Sequence, residues 1–116
     1  GSLYEYWGDK ISNNLNHHAK KIGTDTLVNC ASNEYFNAIK PNSLSLRVIT
    51  PIFMERKNGQ DKIISFYAKN ARGSMARFII QNRLVDYQEI KKFNLDGYFF
   101  DSKKSDENKF TFIRDN

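Results

Sequence analysis

An α+β fold is what the sequence predicts: a mixed or antiparallel sheet built from hairpins and packed by two longer amphipathic helices. Three observations carry that expectation. Apolar residues recur at three-and-four spacing over residues 3–22 and again over 68–84. Asn58-Gly59, a strong two-residue hairpin signal, separates two apolar runs. Asp96-Gly97 turns the chain into Tyr98, Phe99 and Phe100, with Phe110, Phe112 and Ile113 following after a polar loop as the second arm of a terminal hairpin.

The elements follow in order. Gly1 and Ser2 read as the remnant of a cleaved tag, and a single domain is expected over residues 3–116. Leu3, Trp7, Ile11, Leu15 and Ile22, with Ala19 beside them, form the stripe of the first helix, which Gly23 can end. His18 lies near that stripe and is read as a half-buried imidazole, since no Cys, Asp or Glu stands at ligand spacing from it. Residues 26–30 read as a short buried strand. Ser32 is a good N-cap for a short helix through Ile39, closed by the Lys40-Pro41-Asn42 turn. Leu46, Val48, Ile52 and Met54 mark a strand that Pro51 should interrupt, because proline donates no ladder hydrogen bond and belongs at an edge or a bulge. The partner strand is expected over 62–67. From Ala68 the pattern is helical, with Ala71, Met75, Phe78, Ile79 and Asn82 on one side. Asp86 with Glu89 starts a short helix ending near Phe93.

Composition bounds the function. The chain has 116 residues, 40% hydrophobic and 14% aromatic, too rich in apolar groups to be disordered; a folded chain of this size buries roughly 65% of its extended surface. Membrane spans, collagen and disulfide scaffolds are excluded as classes. The one cysteine, Cys30, is read as a small buried hydrophobe, and no leader-like segment precedes the first helix, so a reducing cytoplasmic setting is expected.

Eighteen Lys and Arg against thirteen Asp and Glu leave a net charge of +5. All of that excess sits in residues 62–85, which contain Lys62, Lys69, Arg72, Arg77 and Arg83 and no acid, whereas the remainder balances to zero. Charge gathered into one element can focus a positive potential on phosphates; the plainer reading is a solvated helix face. Starting the helix at Ala68 places Lys69 and Arg72 in its opening turn, where the free N–H groups and positive dipole end disfavour cations. An anion held by those N–H groups and the Arg72 fork would compensate, with Gly73 allowing close approach. A carboxylate from elsewhere in the fold, Glu34 for example, would do the same.

Covalent and metal chemistry find little support. No CxxC, HExxH, GxSxG, Walker or GxGxxG pattern occurs, and the carboxylates Glu5 and Asp9 suit a solvated helix face better than acid-base catalysis. No catalytic residue, metal ligand or cofactor is assigned.

One combination of segments resembles the bacterial peroxide-stress proteins of the YaaA type. It comprises Leu3-Tyr4 with Trp7-Gly8-Asp9, Ala31-Ser32 with Glu34-Tyr35-Phe36, Lys57-Asn58-Gly59, the run from Lys62-Ile63-Ile64 through Lys69, Ala71-Arg72-Gly73 with Met75, Arg77-Phe78-Ile79-Ile80, and Gly97-Tyr98-Phe99-Phe100-Asp101. The resemblance covers the chain from Leu3 onward and only the C-terminal half of such proteins, so an N-terminal half of the same protein is an implied partner. It further implies an α/β fold peculiar to the family, a cytoplasmic role in the hydrogen peroxide response that limits free iron and oxidative DNA damage, and sequence-tolerant binding of duplex DNA in a positively charged cleft. On this resemblance Lys69, Arg72 and Arg77 are the basic positions of one motif, and Ser32, Glu34 and Tyr35 belong to a second. The helix-hairpin-helix element implied for the family needs a tight glycine hairpin that these residues lack. Iron chelation would need converging His, carboxylate or thiolate ligands, and an indirect effect on iron fits this sequence better. The competing expectation is an enzyme acting on a small phosphorylated or carboxylated substrate, with Lys69 and Arg72 as the anion clamp and Glu34 or Tyr35 moving a proton.

Overall fold

The computed structural model describes residues 16–17, 26–31, 36–37, 46–84 and 86–116. The chain divides into two units, Gly1–Val48 and Ile49–Asn116. In the first, strand β1 (Thr26–Val28) stands where a strand is expected. Asn16, His17, Phe36 and Asn37 are helical, and the rest of both helices expected there lies outside the described residues. Asn29 is buried and its Oδ1 accepts from the Ala31 N–H at 3.0 Å. Cys30 is half-buried rather than buried.

The second unit is built on a mixed sheet. Strand β2 (Arg47–Lys57) turns at Asn58-Gly59 into β3 (Gln60–Lys62), antiparallel, with Lys57 opposite Gln60. Both turn residues are left-handed, φ 54° and 74°, as a type I′ hairpin requires. Strand β5 (Lys109–Asp115) lies parallel to β2 on the other side, and β4 (Tyr98–Phe100) pairs antiparallel with β5, giving the order β3-β2-β5-β4. The terminal hairpin is therefore present. Buried on four successive residues from Phe110 to Ile113, β5 has the composition of an interior strand rather than an alternating one.

Three sequence expectations are corrected. β3 ends at Lys62, and the apolar run after it opens helix α1 (Ser65–Gln81) instead of extending the strand to Tyr67. A short apolar run suits either period; here Ala68, Ala71, Ser74 and Met75 fall on one buried face at three-and-four spacing, and that face draws the preceding residues into the helix. Pro51 does not interrupt β2. Thr50 donates its N–H to Asn108 at 2.8 Å and Arg56 accepts from Asn116, so the even residues of β2 turn their polar groups to β5 and the missing donor of Pro51 faces away from β5, costing that ladder nothing. Finally, the inward face of β2 is the odd one: Ile49, Pro51, Phe53 and Glu55 are buried, while Val48, Ile52 and Met54 are only half-buried.

Aromatic rings fill that inward face. Phe53 stacks on Phe112 with centroids 5.3 Å apart and meets Tyr98 and Phe93 edge-on at 5.3 and 5.7 Å. Phe93 ends a 3₁₀ turn over Tyr87–Lys92 that Asp86 caps by accepting the Gln88 N–H at 2.9 Å, as expected from the sequence. Phe78 of α1 meets Phe93 at 5.5 Å, tying the helix to the same core. Asp96 (φ 59°) and Gly97 (φ 85°) make the sharp entry into β4.

Candidate functional site

Helix α1 carries most of the basic window, and its observed start changes how those residues can work. It begins at Ser65, with Ile64 as an N-cap that provides no side-chain hydrogen bond. Lys69 and Arg72 therefore lie beyond the first turn, and the expectation that they share an anion with the free N–H groups of the helix start is overturned. At 100° per residue, Lys69 and Arg77 fall on the outer side, both exposed, and Arg72 lies at the margin of the buried stripe, half-buried. Gly73 lies on the same outer side, and a Cβ there would make only an ordinary contact, 3.5 Å from Arg77 Nη1, so packing does not demand a glycine. Lys62 closes β3 and Arg83 follows the helix in a left-handed conformation, φ 50°, both exposed. Among the described residues, Lys62, Lys69, Arg72 and Arg83 form no ion pair. Arg77 donates to Ser74 Oγ at 3.1 Å, and Ser74 donates to Asp96 Oδ2 at 3.2 Å. Ser32, Glu34 and Tyr35 lie outside the described residues.

Beneath the helix, the structure assembles a group that sequence reasoning missed. Register places Glu55, Arg114 and Tyr98 side by side across β2, β5 and β4, one row along from Phe53, Phe112 and Phe100. The Glu55 carboxylate is 5% exposed and accepts from Tyr98 Oη, Arg114 Nε at 2.7 Å and Asn116 Nδ2 at 3.2 Å. Burial alone pushes its pKa up, but those three donors and the Arg114 charge outweigh it, so the carboxyl titrates below its ordinary value. Burial, then the bond to Glu55, pushes the Tyr98 phenol well above its usual range, and the Glu55 contact holds the Arg114 guanidinium charged. Arg114 also sits over two rings, Cζ 4.5 Å from the Tyr98 centroid and 5.0 Å from that of Tyr67 on α1. Its Nη1 donates to the Asp96 carbonyl at 3.2 Å. Alternation along β2 was the signal: after Ile49, Pro51 and Phe53, position 55 points inward and must find partners there.

A second ionic group braces the other face of the hairpin. Arg56 binds Asp61 through Nε at 2.8 Å and Nη2 at 3.0 Å, and Lys104 reaches the same carboxylate at 2.7 Å. Hydrogen bonds from Arg56 and then Lys104 hold Asp61 well below the usual carboxylate range.

Two grooves flank the helix start. One, about 420 Å³, lies between the β2-β3 hairpin and α1, with Lys57, Lys62, Ile64 and Tyr67 on its walls. The other, about 350 Å³, runs past Phe66, Tyr67, Asn70 and Asp96 to Arg114. Among the described residues, no three His, Cys, Asp or Glu side chains converge as metal ligands, and no helix is long and apolar enough to cross a membrane.

Comparison with known proteins places this chain in a family. The family model described as peroxide stress protein YaaA matches residues 1–104. The chain belongs to the YaaA peroxide stress family. A UPF0246 protein of Ruegeria pomeroyi is 56% identical over 113 residues, covering 97% of this chain and 44% of that protein. Another from Aliivibrio fischeri is 51% identical over 114 residues, covering 98% and 44%, and one from Roseobacter denitrificans is 54% identical over 115, covering 97% and 44%. The chain thus spans about 44% of the length of these YaaA-family relatives.

Proposed function

We propose that this chain supplies one wall of a DNA-binding cleft in a cytoplasmic peroxide-response protein, and that Lys62, Lys69, Arg72, Arg77 and Arg83 contact the phosphates of duplex DNA. The observation that carries the reading is an acid-free run of cations along and beside α1, none of which has an ion-pair partner among the described residues. Cations left without carboxylates keep their full charge for an anionic partner, and a phosphate contact requires no particular base. Gly73 keeps that side low where the backbone of the duplex passes. The N-terminal half of the longer protein provides the facing wall.

The same contacts give a physical route to the protection from iron. Each phosphate neutralised by a side chain releases condensed counterions, and any ferrous iron held among them leaves with the rest. Coverage of the duplex then lowers iron where its reaction with peroxide harms DNA, without a metal site on the protein. Duplex binding measured across a salt series tests the reading. Arg72→Ala should reduce the slope of log affinity against log salt by roughly 0.9, the share of one phosphate, with little change in sequence preference. An unchanged affinity and slope would remove Arg72 from the interface.

A further inference from the structure

We propose that the two grooves beside Tyr67 form a site for one purine nucleotide, with the base against Tyr67 and Phe66 and the phosphate between Lys57 and Lys62.

The aromatic part is exposed where packing would hide it. Phe66 is 69% exposed, and Tyr67 is 43% exposed although Arg114 covers one side of its ring. The two rings meet edge-on at 5.8 Å and border the 350 Å³ groove, ample for a purine. A base has a π-face of its own and stacks on such rings, whereas an aliphatic ligand gains nothing from their geometry. Polar groups stand at the far wall. Asn70 is exposed one turn along α1, and Asp96 offers Oδ1, which accepts nothing among the described residues while Oδ2 takes the Ser74 hydroxyl. A carboxylate there suits a base edge that presents donors, as guanine does with N1–H and N2–H.

The phosphate part follows from strand register. Glu55 is opposite Lys62, and Lys57 lies two residues further along β2, so all three point to the side that α1 covers. Glu55 is already matched by Arg114, and neither lysine has an ion-pair partner among the described residues, leaving the 420 Å³ groove with two uncompensated positive charges. Tyr67 borders both grooves, so the base-sized and the anion-sized compartments are neighbours across one ring. The nucleotide unit could be free or an unpaired residue of a single strand; the recognition chemistry is the same. Lys62 is shared with the duplex reading, but Lys57, Tyr67 and Asn70 are not.

Calorimetric titration of the chain with GMP, guanosine and inorganic phosphate tests the site. GMP should bind at least tenfold more tightly than either of the others. Lys57→Ala with Lys62→Ala should bring GMP down to the guanosine level and leave guanosine unchanged. Tyr67→Ala should weaken both GMP and guanosine tenfold or more; if circular dichroism shows that this variant unfolds, Asn70→Ala carries the test with a threefold or greater loss of guanosine binding. A single-stranded hexanucleotide containing guanine that displaces GMP would make the strand the source, and one that fails would make it the free nucleotide, either result supporting the site. GMP binding no tighter than inorganic phosphate overturns the proposal. So does loss of GMP binding in Lys69→Ala with Arg72→Ala, which would place the anion on the outer side of α1. Duplex affinity measured on the same variants keeps the two readings separate.

Discussion

Arg114 lies beneath helix α1 and Arg72 lies on it, and the two have little in common but their charge. Arg114 is enclosed: Glu55 neutralises it, two tyrosine rings cover it, and the Asp96 carbonyl takes a further hydrogen bond. Arg72 forms no ion pair among the described residues. Burying a charge is tolerable only when partners meet every donor and acceptor, so the inner row is committed to the fold. A half-exposed cation with no carboxylate beside it adds little to stability and is left available for a partner. The contrast separates groups that hold the molecule together from groups that can act on something else.

Substitutions that strike the inner side should have the largest effect. Phe112→Ala empties the centre of the aromatic stack, where the ring is 0% exposed and touches Phe53, Phe93 and Phe100. A loss of about 4 kcal/mol is expected in chemical denaturation. Glu55→Ala should cost about 3 kcal/mol, because it leaves Arg114 and the Tyr98 hydroxyl without their acceptor. Glu55→Gln keeps the size and an acceptor and should cost less, so equal losses from both variants would show that charge, not size, matters at this position.

Acid should weaken that row and the Arg56–Asp61–Lys104 group alike. Glu55 and Asp61 both titrate below their ordinary values in the folded chain. Between the folded and unfolded pKa values the unfolded chain binds more protons, so stability rises with pH through that interval. The contribution is complete above about pH 5 and is lost as pH falls below the unfolded values near 4. Melting temperature followed from pH 6 to pH 2.5 should fall steeply below pH 4, and Glu55→Gln should flatten the fall. At the other extreme, Lys69→Ala and Arg72→Ala should each leave stability within about 0.5 kcal/mol of the parent chain.

How far the sequence could be read depended on whether a signal was local. Asn58-Gly59 and Asp86 announce their turn and cap within a few residues, and both are found as expected. The α+β class and the closing hairpin of β4 and β5 follow from equally short patterns. The parallel partnership of β2 and β5 joins residues more than fifty positions apart, and nothing local encodes it. The start of α1 is misplaced by sequence alone because Ile63, Ile64, Phe66 and Tyr67 fit either period; only the buried stripe from Ala68 to Met75 decides between them. That shift of a few residues removes the helix-start argument for Lys69 and Arg72 while leaving the first exposed and the second half-exposed. Glu55 was legible in principle, through the inward alternation of β2, but Tyr98 and Arg114 become its partners only once the register across three strands is known.

The division between an inner row that folds the chain and an outer side that binds is tested most directly by the salt dependence of duplex DNA binding in Lys69→Ala with Arg72→Ala. Removal of two phosphate contacts should lower the slope of log affinity against log salt by roughly two units, in a variant whose melting temperature matches that of the parent. A slope that stays the same, or one that falls only together with the melting temperature, would contradict the account.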